Sequence, residues 1–291
     1  MAGLSDYTAQ AILNFQTGRS PFPASASRYL ALFTTAPTSD SGTGATEVSG
    51  GAYARVQIAG ALAAAATWTT STPNITMGVS NPGWVVAGMN VYDTTSGAQI
   101  GTVSSYTGTA LVLTANAAAA SSGSTDTLQF SAFPAASASS GTEPAVTPSN
   151  TVNNAAVTFA QSTASWGTVT SYGIYDALTA GNLLSWDYLG NYKWLPFTCT
   201  SASPGVLTST AHGYSTSDPL VVSTKAVGTL PTTAGSWAGV LTCTVITVDT
   251  FSVAVNTTST GDGLVRKIVQ QPIPANAVFI FSASTMTLQA A

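Results

Sequence analysis

Charged side chains are scarce in this chain of 291 residues. It contains 7 lysine and arginine residues and 11 aspartate and glutamate residues, so charged residues make up 6% of the sequence and the formal net charge is -4. Soluble domains usually carry about 25% charged residues. Because no cluster of lysine or arginine is available to neutralise phosphates, the sequence excludes a basic nucleic-acid-binding protein.

A long apolar run is also missing. The longest apolar stretch, 59–68, is mostly alanine and is interrupted by Gly60, whereas a membrane-spanning helix needs roughly 20 apolar residues. Residues 1–18 contain Asp6 and no basic region ahead of an apolar block, so they do not resemble a secretory signal. We therefore expect no membrane partner, and a protein that folds where it is made or leaves without the Sec pathway.

The side chains that most often carry catalysis or hold metal ions are few. His212 is the single histidine and no Gly-x-Ser-x-Gly motif is present, so a turn histidine is favoured over a hydrolase site with Asp218. The carboxylates are dispersed without an Asp-x-Asp loop or a close pair, and potential zinc ligands are too few. No nucleotide-binding glycine motif occurs. We expect no catalytic residues, no metal and no cofactor.

Two cysteines, Cys199 and Cys243, are too few for a disulfide framework. Each lies in a strand that alternates with threonine, and the two strands could be neighbours, so a bridge stays open. Buried free thiols are the favoured interpretation because cysteine packs as a small hydrophobic side chain.

Apolar and aromatic residues are plentiful by contrast. Hydrophobic residues make up 45% of the chain, mean hydropathy is +0.28, and aromatic rings occur along the whole length, which excludes a disordered chain. One helix is indicated, with Ser5 as N-cap, Asp6 in the first turn and Gly18 as the stop. The remainder alternates short strands with turns, which is typical of an all-β sandwich or barrel.

Changes of composition divide the chain into a body and two insertions. The predicted body is a jelly-roll-like β-sandwich with the size of one domain, built from three pieces, 1–73, 132–196 and 270–291. Two small β modules, 74–131 and 197–269, are predicted to be inserted at loop tips. A stretch rich in alanine, serine and proline, 135–154, is predicted to follow the first module as an extended loop.

Short patterns inside the body predict parts of this fold. Gly50 and Gly51 predict a tight reversal between strands. Trp166, together with the alternation of Tyr172 and Ile174, indicates the core of the sandwich. The polar segment 176–182 lies between two strand patterns and predicts a hairpin turn.

Five segments of the body together resemble a family of virion structural proteins of tailed bacteriophages. They are 29–37 (YLALFTTAP), 46–55 (TEVSGGAYAR), 164–170 (ASWGTVT), 173–177 (GIYDA) and 181–184 (GNLL). Members of this family are compact β-sandwich proteins described as cement, decoration or tail-fibre proteins. The two insertions resemble small β modules of phage fibre and capsid proteins, and they extend this chain beyond the compact pattern.

The resemblance implies a structural, non-enzymatic protein on the exterior of a capsid, made in the cytoplasm of the bacterial host. The leading hypothesis is a decoration, or cement, protein that binds the major capsid protein and stabilises the head. Further copies of the chain, as dimers or trimers, are the other implied partners. The residues expected to dock on the capsid are Tyr7, Ile12, Phe15 and Phe22. An equal alternative is that the helix simply plugs one end of the sandwich.

A tail-fibre or receptor-facing protein is the alternative function. In that case the insertions are expected to bind host glycan through exposed aromatic rings, with Trp84, Tyr214 and Trp237 as the stacking residues. A cell-wall hydrolase is a third possibility, disfavoured because the chain lacks the catalytic groups.

The scarcity of charge also bears on sheet edges, which β-proteins commonly protect with charged side chains. Two explanations stay open. The favoured one is that neighbouring copies and the capsid lattice cover the edges, through apolar interfaces that salt affects little. The other is that short, bulged strands and threonine or serine faces suffice in the free chain.

Overall fold

The chain folds almost entirely as antiparallel β-structure, which confirms the predicted all-β class. The computed structural model describes residues 3–20, 27–121, 126–137, 149–190, 192–225 and 228–290. The elements within these ranges are, in chain order, β1 Gly3–Leu4, α1 Asp6–Gln16, β2 Arg28–Thr35, β3 Thr46–Glu47, β4 Val56–Ala63, β5 Asn74–Thr76, β6 Asn90–Asp93, β7 Gln99–Thr107, β8 Ala110–Leu113, β9 Thr127–Ser131, β10 Ser149–Val152, β11 Val157–Thr158, β12 Gly167–Val169, β13 Ser171–Tyr175, β14 Leu183–Tyr188, β15 Leu195–Cys199, β16 Gly205–Thr208, β17 Pro219–Ser223, β18 Leu241–Val245, β19 Thr250–Val253, β20 Gly261–Lys267, β21 Gln271–Ile273, β22 Ile280–Phe281 and β23 Thr287–Ala290.

The N-terminal helix α1 begins and ends where its sequence predicts. The Ser5 side chain accepts a hydrogen bond from the Thr8 N–H, and Asp6 occupies the first turn, where a negative charge is favourable. Gly18 follows the helix with φ of +71°, a conformation that glycine adopts without steric cost. The cap and the stop are therefore local features that need no tertiary contact.

One large sheet organises the first two thirds of the chain. Its strand order is β1-β14-β13-β2-β4-β9-β6-β7-β8-β5, with β3 added beside β2. Strand β9 pairs with β4 on one side and with β6 on the other, so the strands of 74–131 continue the sheet that β2, β4, β13 and β14 begin. Ala59 and Asn90 both lie opposite Ser131 in these two registers.

Three pairs of short strands form a second layer against this sheet. They are β10 with β23, β11 with β22 and β12 with β21, and they bring the C-terminal residues back onto the body. The Tyr172 ring of β13 packs edge-on against the Phe281 ring of β22 at 5.5 Å. Phe159 lies 5.9 Å from Phe279 and 6.3 Å from Trp166, so one aromatic core joins both layers, as the sequence predicts for Trp166.

The segment from Leu195 to Lys267 forms a separate closed barrel in the order β15-β16-β19-β18-β17-β20. Its strands alternate buried and exposed side chains, and the buried ones fill an apolar interior of their own. The largest of these are Phe197, Leu207 and Phe251, none more than 1% exposed. The barrel therefore has a core distinct from that of the sheet.

Two local predictions meet different outcomes. The segment 176–182 is a hairpin turn, as predicted, in which the Asp176 carboxylate accepts hydrogen bonds from the Asn182 backbone and side-chain N–H groups. Residues 149–152 were expected within an extended loop and instead form β10, because pairing with β23 satisfies their backbone groups. Residues 138–148 of that expected loop lie outside the described residues.

The sheet edges of the described chain are protected by geometry. The two ends of the large sheet are β1, with two residues, and β5, with three, and very short edge strands offer little template for pairing. Closure of the barrel removes edges altogether. Register shifts also interrupt several strand pairs, including β2 with β4 and β6 with β7. These observations favour the second of the two explanations for how so few charges suffice.

The sheet core yields a first prediction. Phe130 is fully buried and lies 6.3 Å from Tyr106 and 6.1 Å from Trp84, so Phe130→Ala should leave a cavity and lower the free energy of unfolding by about 3–5 kcal/mol. Phe15→Ala removes the same ring from a site where it is 59% exposed and should change stability by less than about 0.5 kcal/mol. Denaturant unfolding of both variants measures the difference, and equal losses would contradict this packing.

Candidate functional site

A cleft lies between the large sheet and the barrel. It has a volume of about 690 Å³, and both units contribute walls. On the sheet side it is lined by the end of β2 and the loop after it, by β12 and by β14. On the barrel side it is lined by the end of β17 and by the loop 237–240. Because both units form the walls, their relative placement determines the shape of this cleft.

Aromatic rings make up much of the cleft wall. The four that line it are Trp186, Tyr188, Trp194 and Trp237. Trp186 is buried and packs edge-on against Tyr188 at 5.3 Å, while Trp194 and Trp237 are partly exposed. Trp237 is held in place because its indole N–H donates to the Pro231 carbonyl at 2.8 Å. The exposed rings therefore sit on a fixed support.

Polar groups between these rings are available for further hydrogen bonds. The Thr35, Thr168 and Thr224 hydroxyls and the Gln270 side-chain amide line the cleft, and none of them has a side-chain hydrogen bond to another described residue. All four residues are exposed. The cleft thus combines the apolar faces of aromatic rings with solvent-exposed hydroxyl and amide groups that no described side chain engages.

The charge of the cleft is negative. Asp6 and Asp40 line it, and neither forms an ion pair within the described part of the chain. None of the residues found to line the cleft is a lysine, arginine or histidine. The two segments are tied together, since the Asp6 N–H donates to the Asp40 carbonyl at 3.0 Å.

An ion pair fixes the barrel to the sheet beside the cleft. Arg266 of β20 donates to the Asp187 carboxylate of β14 at 2.8 Å and to the Gly190 carbonyl at 3.0 Å. Its guanidinium also lies 5.9 Å from the centre of the Tyr188 ring and 5.6 Å from that of Trp194. The Arg266 side chain is only 6% exposed, whereas that of Asp187 is 31% exposed, so the cation is nearly buried while its counter-ion keeps some contact with solvent.

The junction has an electrostatic cost. Burial raises the pKa of Asp187 above its ordinary range, although the charge and hydrogen bond of Arg266 act in the opposite direction. Burial is also the largest cause of the raised pKa of Tyr188, whose hydroxyl accordingly stays protonated at neutral pH. The pair therefore positions the barrel more than it stabilises the chain.

The residues predicted to dock on a partner have different environments. Tyr7 and Ile12 are partly buried, whereas Phe15 is 59% exposed. Phe22 lies outside the described residues. Helix α1 is fixed to the body because the Ser5 and Thr8 hydroxyls donate to β14 carbonyls. Its exposed apolar side chains thus project from an anchored helix.

The three aromatic residues predicted to bind glycan do not lie together. Trp84 packs edge-on against Phe130 of the sheet core, and Tyr214 lies against Phe251 in the barrel. Trp237 alone among them lines the cleft. The sequence analysis missed Trp186, Tyr188 and Trp194. The segment 186–194 nevertheless carries a recognisable signal, because these three residues and Tyr192 make it rich in aromatic side chains.

The remaining candidates for chemistry have structural roles. The His212 ring accepts a hydrogen bond from the Tyr214 N–H at 2.9 Å through Nδ1, and its Nε2 lies 3.2 Å from the Thr247 carbonyl, as expected for a turn histidine. Cys199 and Cys243 are buried free thiols on β15 and β18, which are not neighbours in the barrel. No group of three or more potential metal-binding side chains occurs within the described ranges. Among the helical residues of those ranges, none forms an apolar helix long enough to traverse a bilayer.

Comparison with known proteins defines first the class and then the family. The sequence matches a family of phage virion structural proteins. The family model that matches is described as podophage GP4 fiber I protein gp80, over residues 3–132 and 93–196. These ranges together span more than half of the chain, so the chain belongs to this family. No curated protein matches it. The barrel strands β16–β20 lie beyond both matched ranges.

The junction yields a second prediction. Asp187→Asn removes the carboxylate and leaves Arg266 nearly buried without its counter-ion, so the free energy of unfolding should fall by about 2 kcal/mol, less than for a fully buried pair because the Asp187 side chain is 31% exposed. Lys225→Ala breaks a partly exposed ion pair with Asp262 and should cost less stability than Asp187→Asn, because solvent screens the pair.

A double variant sharpens this test. Adding Arg266→Met to Asp187→Asn removes the uncompensated charge, so the double variant should be more stable in denaturant unfolding than Asp187→Asn alone. Arg266→Met is also measured alone. If the losses of stability in Asp187→Asn and Arg266→Met simply add in the double variant, the two side chains are not coupled and the prediction is contradicted.

Proposed function

We propose that the chain is a non-enzymatic fibre protein of a phage particle, with α1 and the sheet directed toward the particle and the barrel toward the host surface. The family match carries this proposal, because the matched family is described as a fibre protein and the match covers the sheet and α1. Glycan of the host surface is the expected target. The cleft between sheet and barrel supports this target, since it is a concavity of about 690 Å³ lined by partly exposed aromatic rings.

The architecture suits a rigid attachment element. The barrel joins the sheet through chain connections near Leu195 and Lys267, the two ends of the barrel segment, and through the buried Arg266 junction. Three of the four ion pairs among the described residues involve barrel cations, Lys225, Arg266 and Lys267. Most of the ion pairs of the described chain thus lie within the barrel or at its junction with the sheet. This leaves its outer surface mostly uncharged, as salt-insensitive attachment requires.

Capsid decoration is the second candidate function. It is favoured by the exposed apolar pair on α1, Leu13 and Phe15, which are 61% and 59% exposed on a helix anchored to the body. Such a pair is suited to burial against the major capsid protein or against a further copy of the chain in a dimer or trimer. The same pair would serve a fibre that attaches to the particle by α1, so copy number must separate the two functions.

The abundance of the chain in purified virions is the third prediction. A fibre protein is present in few copies, so its band in a stained gel should be faint beside that of the major capsid protein, and peptide counting by mass spectrometry should agree. A band comparable with the major capsid protein would favour decoration instead. Complete absence of the chain from washed particles would contradict both structural functions.

Attachment through α1 is the fourth prediction. Replacing Leu13 and Phe15 together by serine removes two exposed apolar side chains, each worth about 1.5–3 kcal/mol if buried against a partner. The doubly substituted chain should fold normally but be depleted from particles assembled in its presence. Val248→Ser, at a side chain that is 68% exposed on the barrel, is the matched control and should be incorporated normally. Undiminished incorporation of the double variant would show that α1 only closes the body.

A further inference from the structure

We infer that the cleft between the sheet and the barrel binds an oligosaccharide that carries no anionic group. This inference rests on the proposed fibre function, since it names the ligand class and the site of host contact. The site differs from a surface patch on either inserted module, because residues of the sheet and of the barrel both line it. Its ligand class follows from shape, from the aromatic rings, from the free polar groups and from charge.

The shape fits a small molecule or a short chain of sugar units. A volume of about 690 Å³ falls within the roughly 300–1,000 Å³ typical of ligand sites. Strand residues of β2, β12, β14 and β17 form part of both walls, and the Arg266–Asp187 pair holds the walls together beside the cleft. A ligand would therefore meet a largely preformed site, which lowers the entropy lost on binding.

The rings supply the apolar part of the recognition. Trp194 and Trp237 are partly exposed in the cleft, one before the first barrel strand and the other in the loop between β17 and β18. Pyranose rings present one face made of C–H groups, which packs on a flat aromatic surface while the hydroxyls at the ring edge stay free for hydrogen bonds. Two such platforms suit a chain of at least two sugar units.

The polar groups supply the directional part. The Thr35, Thr168 and Thr224 hydroxyls both donate and accept hydrogen bonds, and the Gln270 amide does so through two different atoms. None of these side chains is engaged elsewhere in the described part of the chain. Sugar hydroxyls are donors and acceptors as well, so they match this set better than an apolar ligand would.

Charge narrows the ligand class further. The carboxylates of Asp6 and Asp40 line the cleft without a cation among the lining residues. A sialylated, phosphorylated or sulfated sugar would place its negative charge near these carboxylates, and like charges disfavour binding. The cleft is thus suited to sugars without an anionic group, such as neutral hexoses and N-acetylated hexosamines.

A printed array of neutral, N-acetylated, aminated, sialylated, phosphorylated and sulfated oligosaccharides tests the inference with the full-length purified chain. Neutral and N-acetylated sugars should bind, the carboxylates should tolerate aminated sugars, and the sialylated, phosphorylated and sulfated sugars should not bind. The best oligosaccharide on the array is then titrated by calorimetry. Trp194→Ala and Trp237→Ala should each weaken its affinity by about tenfold or more, because each removes a stacking surface.

Two controls separate binding from folding. Trp84→Ala removes a partly exposed tryptophan from the sheet, outside the cleft, and should leave affinity unchanged. Asp40→Asn keeps the shape of the cleft and should extend array binding to anionic sugars. If the tryptophan variants fail to fold, Thr35→Val and Thr224→Val, at exposed hydroxyls, replace them and should each weaken binding.

The outcomes distinguish this inference from the proposed function. A chain found in virions that binds no neutral sugar would overturn the cleft inference and leave the fibre function standing. Binding that Trp84→Ala abolishes and Trp194→Ala does not would place the site elsewhere and overturn it too. A basic peptide that binds the cleft while all array sugars fail would assign the carboxylates to a protein ligand, which also contradicts the inference.

Discussion

The contact between Arg266 and Asp187 is the interaction on which the arrangement of the molecule depends. It joins two units that have separate apolar cores, and it does so with one of only 7 basic side chains in the sequence. The pair is costly, as the raised pKa of Asp187 indicates, and an apolar contact of the same volume would hold the units together as well. What a charged, hydrogen-bonded contact adds is direction: the guanidinium reaches the Asp187 carboxylate and the Gly190 carbonyl at once, which fixes the orientation of the barrel.

The fold of the described chain accommodates the scarcity of charged side chains in two ways. Some charged side chains are used internally, as in the Arg55 guanidinium, which pairs with Glu47 and stacks 3.5 Å above the Tyr175 ring. Where a sheet edge would ordinarily carry lysine, the strand is shortened to two or three residues or is closed into a barrel. A virion protein made in this way exposes more hydroxyls and backbone than ions, so we expect its surface contacts to depend little on salt.

The sequence predicts the local features and misses those that depend on distant pairing. Ser5 and Gly18 define the two ends of α1, and Asp176 marks the hairpin turn 176–182. Each of these residues interacts with backbone groups only a few positions away in the sequence. Strand β10 was missed because its polar residues become a strand only when β23 lies beside them. The junction was invisible for the same reason, since Asp187 and Arg266 are far apart in the chain and neither lies in a recognisable motif. Of the cleft, Trp237 was predicted to contact ligand, whereas the rings of 186–194 required the fold to show that they face it.

The central claim is that the sheet and α1 attach the chain to a phage particle while the cleft stays open to the outside. A reconstruction of the intact virion at side-chain resolution tests it most directly. The account predicts density for α1 against another virion protein, with Trp194 and Trp237 facing solvent at a fibre. Density that places a neighbouring subunit over those two rings, or α1 in open solvent, would contradict it.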